Sequence, residues 1–251
     1  MLLINLKKGI FYFFVALSCY GTSFNSAAED KKLNLIAGLA KPPFILEEGQ
    51  TGLQLEIISQ AFALSNIEVK FTHLPLGRNI TGFQQWDIDG VITLPKDYKY
   101  PGMYVSKPYI DYENVAVSLS AKQLEIESLT DLSDKSLIAF QNAKKYLGED
   151  YNNVVAYLID YREIADQEKQ IKMLFSGRTE VIIADINIFK YFVKTHTDPM
   201  FHKLFTIHHI FNTRGYAAGF KKKDVQEAFD RGIKQIKDNG TYQMLLDKYQ
   251  N

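Results

Sequence analysis

The side chains most often used in catalysis are scattered through this sequence and match no catalytic motif. None of the five histidines has the His-Glu-x-x-His or cysteine-based spacing of a metal site: His73, His196, His202, His208 and His209. The only cysteine is Cys19, and the chain has neither a Gly-x-Ser-x-Gly turn nor a phosphate-binding glycine loop. The sequence therefore predicts no catalytic residues, no metal site and no cofactor.

One carboxylate is set apart by its position. Asp185 ends the apolar run Val181-Ile182-Ile183-Ala184, which is typical of a buried strand. Such a carboxylate can bind a ligand at the end of the strand, or it can cap a helix that begins at Ile186. Both roles are open from the sequence. Glu163 and Glu180 would be general-acid candidates if the fold brought them into a cleft.

Alternating strand and helix patterns position these residues. Apolar periodicity predicts strands at 33–37 and 67–71, with an amphipathic helix beginning at Leu53 between them. A second strand and helix series runs from 137 to Asp185, and a strand at 216–220 precedes two helices near the end of the chain. Because β-α-β units favour parallel sheets with right-handed crossovers, the predicted fold class is α/β.

The first 28 residues have the order of a secretory leader. Lys7 and Lys8 precede the apolar run 10–17, and the segment closes on Ser26-Ala27-Ala28. This order predicts a signal peptide over 1–28 and export to the periplasm. A lipid anchor at Cys19 is the less favoured alternative, because its lipoprotein box is atypical. Cleavage would leave 27 basic and 29 acidic residues, a balance that favours neither nucleic acid nor an anionic membrane as a partner.

Six sequence fragments, taken in order, resemble the bacterial periplasmic solute-binding proteins that serve polar amino-acid ABC transporters. The resemblance covers essentially the whole chain after the leader. The fragments are Pro42-Pro43-Phe44 with Gly52, Asp89-Gly90-Val91-Ile92-Thr93, Ser106-Lys107-Pro108-Tyr109, Ser128-Leu129-Thr130-Asp131-Leu132, Ser176-Gly177-Arg178-Thr179-Glu180-Val181 leading to Asp185, and Asp238-Asn239-Gly240-Thr241-Tyr242.

The resemblance implies a two-lobed periplasmic-binding-protein fold of type II, with the ligand held in the cleft between the lobes. Lobe 1 would comprise 31–112 and the C-terminal return 213–251, and lobe 2 would comprise 113–212. The implied function is capture of a small polar ligand, an amino acid or a related compound, by hinge closure. A monomer would then deliver the ligand to an ABC transporter permease. The alternatives are a periplasmic enzyme of the cyclohexadienyl dehydratase type and a ligand sensor.

The resemblance also assigns the charged residues of the site. Asp185 would take a ligand ammonium. Relatives carry an arginine shortly after the residues that match Ile92-Thr93, but this chain does not, so Arg78, Lys99 or Lys96 would supply the cation for a carboxylate. Asn142 stands in place of a Gly-Thr pair at a helix start, where backbone amides favour an anion, and it can also cap that helix.

Aromatic residues complete the predicted site. Phe44 and Tyr98 fall in loops on the cleft side of lobe 1, where they can stack on a flat or cationic ligand. Trp86, the only tryptophan, is expected in the core.

Overall fold

The computed structural model describes residues 31–46 and 49–250, so the predicted signal peptide and Cys19 lie outside the described residues. Eleven strands occur in this part of the chain: β1 (Lys31–Ala37), β2 (Ile67–His73), β3 (Gly90–Pro95), β4 (Tyr104–Val105), β5 (Ile110–Tyr112), β6 (Asn114–Leu119), β7 (Leu137–Phe140), β8 (Tyr161–Ile164), β9 (Val181–Asp185), β10 (Phe205–His208) and β11 (Arg214–Phe220). Eight α-helices accompany them: α1 (Leu53–Ala63), α2 (Asn79–Gln85), α3 (Ala143–Leu147), α4 (Glu149–Val155), α5 (Gln167–Phe175), α6 (Ile186–Thr195), α7 (Lys223–Asp238) and α8 (Thr241–Gln250). The predicted α/β class is confirmed.

The strands form two sheets. The first has the order β2-β1-β3-β11-β4, with β5 paired to β11 as well. In it β1 is parallel to β2 and β3, whereas β11 is antiparallel to its neighbours. The second has the order β10-β6-β9-β7-β8, with β7 parallel to β8 and β9. Both β-α-β units predicted from the sequence are therefore present.

The chain passes between the sheets twice. The first crossing segment, 112–114, joins β5 of the first sheet to β6 of the second, and the second crossing segment, 209–213, leads from β10 back to β11. Glu113 and His209 connect the two segments through a contact of 2.6 Å between Oε1 and Nδ1. The lobe boundaries predicted at 112/113 and 212/213 stay a prediction.

Each sheet has its own hydrophobic core. In the first, α1 and α7 cover β1 and β11, and Phe62, Phe220 and Phe229 pack together. In the second, α5 and α6 cover β6 and β9. Ile188 of α6 belongs to the first core, so the start of α6 packs against the other sheet.

The loop after β1 and the start of α1 are held close together. Gly52 has a φ of 126°, and a Cβ on it would lie 2.5 Å from the Phe44 carbonyl oxygen. Only glycine fits this position, because both the backbone angle and the space exclude a side chain. The close approach fixes the loop of Lys41 and Phe44 at the end of the sheet.

The prediction for Trp86 is wrong. Trp86 follows directly after the last residue of the short helix α2, and its side chain is 47% exposed. Phe83 of the same helix is the aromatic residue that packs into the core beside β1 and β3.

Candidate ligand site

Asp185 lies where β9 ends and α6 begins, and its carboxylate is almost completely buried. Oδ1 accepts hydrogen bonds from the amides of Asn187 (2.9 Å) and Ile188 (3.2 Å), and Oδ2 accepts one from the amide of Glu113 (3.0 Å). Burial raises the pKa of Asp185 to about 6, while these amides and the positive charge of Lys41 oppose the rise. Asp185 is therefore a helix cap and a contact to the first crossing segment. Its ligand role stays a prediction.

Lys41 is the cation that acts on Asp185, and the sequence interpretation missed it. Its backbone is fixed by two hydrogen bonds with Ile45, of 2.8 and 3.0 Å. Its ammonium nitrogen lies 4.3 Å from the ring centroid of Tyr112 and 5.7 Å from that of Phe44. Burial lowers the pKa of Lys41 to about 8, and Asp185 opposes the change. The two charges attract each other across the sheets without a direct ion pair.

Aromatic rings form the surface beneath this ammonium. Phe44, which is completely buried, stacks on Tyr112 with ring centroids 4.1 Å apart, and Tyr112 meets the edge of Tyr216 at 4.9 Å. Tyr112 belongs to β5 and Tyr216 to β11, so adjacent antiparallel strands hold the two rings together. The electron-rich faces of these rings stabilise the nearby ammonium group.

A buried glutamine holds Tyr112 in place. The Gln54 amide nitrogen donates to Tyr109 Oη (2.7 Å), Thr93 Oγ1 (2.9 Å) and the Ile92 carbonyl (3.3 Å), and its oxygen accepts from Tyr112 Oη (3.1 Å). This polar network connects α1 to β3 and to the aromatic surface. The signal in the sequence was a glutamine inside the apolar helix pattern, one residue after Leu53.

Arg214 is a second cation near the crossing segments that the sequence interpretation did not select. It begins β11, pairs with Tyr112 across the strands, and donates a hydrogen bond to the Tyr146 carbonyl of α3. Burial raises the pKa of Tyr216, and the nearby Arg214 charge opposes that shift. Arg214 thus brings a guanidinium from the first sheet to a helix of the second.

At the start of α3, the structure gives Asn142 a different role from the predicted side-chain cap. Asn142 has a left-handed backbone (φ 64°), and its side chain makes no capping hydrogen bond. The amides of Asn142 and Lys144 instead donate to the Glu163 carboxylate at 2.8 and 3.0 Å, and Tyr161 Oη donates to it at 2.8 Å. The cap prediction is wrong, because a side chain from β8 supplies the anion that this helix start favours.

The remaining predicted residues surround α2 and the loop after β3. Arg78 ends a 3₁₀ turn before α2 and is exposed, as are Lys99 and Lys96. Tyr98 is partly buried against the core beside β3, and this burial raises its pKa. Among the described residues, none of these four contacts the Asp185 carboxylate. Their ligand roles stay predictions.

A cavity of about 370 Å³ opens between the loop after β1 and the helices α5 and α6. It is lined by Pro42, Leu46, Glu168, Tyr191, Phe192, Thr195, His196 and Thr197. The six residues predicted to bind the ligand are not among them. Within residues 31–46 and 49–250, no helix has the length and apolar character needed to span a membrane.

Comparison with known proteins identifies the fold. The family model of bacterial extracellular solute-binding proteins, family 3, matches residues 35–251. An ancestral arginine-binding protein bound to arginine has a TM-score of 0.68 and 20% identity over 88% of this chain and 98% of its own. The probable amino-acid ABC transporter extracellular-binding protein ytmK from Bacillus subtilis has a TM-score of 0.71 and 17% identity over 88% and 98%.

A third similar structure is the ancestral amino acid-binding protein AncCDT-1, a precursor of cyclohexadienyl dehydratase, with a TM-score of 0.67 and 16% identity over 88% of this chain and 95% of that one. No curated protein matches the chain by sequence. At these identities the structures establish the fold alone, whereas the family model covers nearly all described residues. The chain belongs to the bacterial extracellular solute-binding proteins of family 3 and has their two-lobed type II fold.

Proposed function

We propose that this protein is exported, captures a small polar ligand of amino-acid size between its two lobes, and delivers it to an ABC transporter permease. The observation that supports this most directly is the group of residues between the two sheets. Asp185 of the second sheet accepts a hydrogen bond from Glu113 of the first crossing segment, and Lys41 lies over the ring of the adjacent Tyr112 of the first sheet. A ligand that contacts both sheets there would favour the closed arrangement, because it gains contacts only when the lobes meet.

Binding without catalysis is the function that the carboxylates support. Glu163 is engaged by two amides of α3 and by Tyr161, and Glu180 Oε2 accepts hydrogen bonds from the Ser136 amide (2.9 Å) and hydroxyl (3.2 Å). A dehydratase needs a general acid that can reach its substrate. Both candidates from the sequence are used to hold the second sheet together, which favours a binding protein over an enzyme.

Delivery separates the transport proposal from the sensor alternative. A transport protein must release its ligand to a permease, so loss of the protein should abolish ligand uptake at low concentration. A sensor would leave uptake unchanged. The experiment compares uptake of radiolabelled ligand by cells with and without the gene, with the gene restored on a plasmid as the control. Unchanged uptake in the deletion strain would contradict delivery.

Cleft closure is tested on the purified protein. A thermal-shift screen of amino acids, polyamines, small carboxylates and short peptides should find a compound that raises the melting temperature, since a ligand of the folded state stabilises it by mass action. X-ray scattering should then give a smaller radius of gyration with that compound than with one that leaves the melting temperature unchanged. An unchanged radius at saturation would contradict capture by hinge closure.

A further inference from the structure

Lys41 brings an ammonium group to the place where an amino-acid ligand would present its own. The two hydrogen bonds with Ile45 fix the Lys41 backbone, and the stacked rings of Phe44 and Tyr112 hold the side chain from one side. Lys41 lies over Tyr112, and the amide of the next residue, Glu113, donates to Asp185, so the carboxylate already has a cationic neighbour. A ligand ammonium at Asp185 would therefore be repelled by Lys41.

The hydrogen-bonding capacity of Asp185 is also largely used. A carboxylate has about four acceptor positions, and three amides already occupy the two oxygens of Asp185. An ammonium group needs several acceptors when it leaves water. A ligand ammonium would find one acceptor position at Asp185 together with a like charge nearby.

A ligand carboxylate would be attracted by the positive charge that repels an ammonium. The helix start at α3, which is the predicted anion position, is occupied by Glu163 through the amides of Asn142 and Lys144. Positive charge is instead available at Lys41, whose ammonium lies over the Tyr112 ring, and at Arg214, the strand partner of Tyr112. The nearby carboxylates are already engaged by protein donors, Asp185 by three amides, Glu113 by His209, and Glu163 by two amides and Tyr161. The Lys41 ammonium lies on aromatic rings instead, so a ligand carboxylate would supply its counterion.

We propose that the cleft selects a small carboxylate that lacks an α-ammonium group, with Lys41 and Arg214 attracting the carboxylate and Lys41 excluding an ammonium from Asp185. This inference rests on the proposed function, because it names the class of ligand that the cleft takes. Lys41 is then the residue that determines specificity within this protein. Its replacement by an uncharged side chain of similar length should open the position at Asp185 to an amino acid.

The experiment uses pairs of compounds that differ only in the α-ammonium group. Suitable pairs are L-glutamate with glutarate, L-phenylalanine with 3-phenylpropanoate, and L-arginine with 5-guanidinopentanoate. Calorimetry at pH 7 measures the Kd of both members for the wild type, for Lys41→Met, and for Lys70→Met as the control. Lys70 is an exposed lysine on the edge strand β2 of the same sheet.

For the wild type we expect the compound without the ammonium to bind at least tenfold more tightly within a pair. Lys41→Met should reduce this preference at least tenfold or reverse it, whereas Lys70→Met should leave it unchanged. Tighter wild-type binding of the amino acid would overturn the inference and leave the proposed function standing. Binding of no small compound to the wild type would overturn both. An unchanged ratio in Lys41→Met would overturn the role of Lys41, whereas the wild-type ratio tests the class of ligand whatever the stability of that variant.

Discussion

The amide of Glu113 donates a hydrogen bond to Asp185 Oδ2 at 3.0 Å, and this bond joins the first crossing segment to the start of α6. Glu113 also contacts His209 of the second crossing segment, at 2.6 Å. A single carboxylate therefore caps a helix of the second sheet and holds the segment about which the lobes would rotate. The side chain of Asp185 therefore has a structural role that is independent of any ligand.

Replacement of Asp185 by asparagine should destabilise the protein. One oxygen of Asp185 accepts from α6 and the other from Glu113, so the asparagine NH₂ group must face an N–H donor on one side. A buried donor left without an acceptor costs about 1–3 kcal/mol. We expect a loss of this size in the free energy of unfolding, measured by urea denaturation.

Asp166→Asn is the matched control for this change. Asp166 caps α5 through one hydrogen bond, from the Lys169 amide at 2.9 Å, and it is exposed. Asparagine is as good a cap as aspartate, so the control should change the stability little. Equal losses of stability in the two variants would show that the hydrogen bond of the second Asp185 oxygen contributes nothing to the free energy of unfolding.

The stability of the ligand-free protein should depend on pH in two separate windows. The Asp185 pKa is raised to about 6, so the folded state holds a proton that the unfolded state has released between about pH 4 and 6, and stability falls with pH there. The Lys41 pKa is lowered to about 8, so the unfolded state holds the extra proton between about pH 8 and 10.5, and stability rises there. Each slope is at most about 1.4 kcal/mol per pH unit.

Denaturation of the wild type and two variants across this pH range separates the contributions. Relative to Asp185→Asn, the wild type should lose stability as the pH rises from 4 to 6. Relative to Lys41→Met, it should gain stability between pH 8 and 10.5. Parallel curves for the wild type and a variant would mean that the residue replaced in that variant does not titrate as its burial indicates.

How far the sequence predicts this structure depends on the range of the interactions. The strands and helices followed from apolar periodicity, which is a local property, and the position of Asp185 followed from the end of an apolar run. Lys41 could not be selected, because a lysine in a loop is usually solvated, whereas here it is partly buried over the ring of Tyr112, which is distant in the sequence. The occupation of the α3 start by Glu163 is equally non-local.

Export should remove the leader. The order of Lys7, Lys8, the apolar run 10–17 and Ser26-Ala27-Ala28 predicts cleavage that leaves Glu29 as the first residue. Mass spectrometry of the periplasmic fraction should find that N-terminus. A lipid-modified Cys19 at the N-terminus, recovered in the membrane fraction, would contradict this prediction and establish the lipoprotein alternative.

Gln54 should be far more sensitive to substitution than another glutamine of the same helix. Gln54→Met removes the acceptor of Tyr112 Oη and the donor to Thr93 Oγ1, which leaves these two buried groups without those partners. Tyr109 Oη still donates to the Ile92 carbonyl, at 2.7 Å. We expect a loss of about 2–4 kcal/mol in the free energy of unfolding, from two groups at about 1–3 kcal/mol each. Gln60→Met, on the exposed side of α1, should change stability by less than about 0.5 kcal/mol.

Thermal or chemical denaturation of both variants checks the expectation for Gln54. Methionine matches glutamine in length and has good helix propensity, so neither packing volume nor backbone preference explains a difference between the two sites. Similar small losses at Gln54 and Gln60 would show that the buried network contributes little to the stability of lobe 1.

Gly232 of α7 sets the distance between α1 and α7. A Cβ at this position would lie 2.1 Å from the Ala61 carbonyl oxygen, which is backbone and cannot rotate away. Alanine is favoured over glycine in a helix by about 1 kcal/mol, so propensity alone predicts that Gly232→Ala stabilises the protein. Overpacking of a core typically costs about 1–3 kcal/mol and should outweigh that gain.

We therefore expect Gly232→Ala to lower the free energy of unfolding, measured by urea denaturation. Gly77→Ala is the control, because a Cβ on Gly77 meets no atom within 4 Å and its φ is not in the left-handed region. That change should leave stability unchanged or slightly higher, since alanine restricts the unfolded chain more than glycine does. A Gly232→Ala variant as stable as the control would show that α1 and α7 can separate at no cost, and the close helix contact would then contribute nothing to the core of lobe 1.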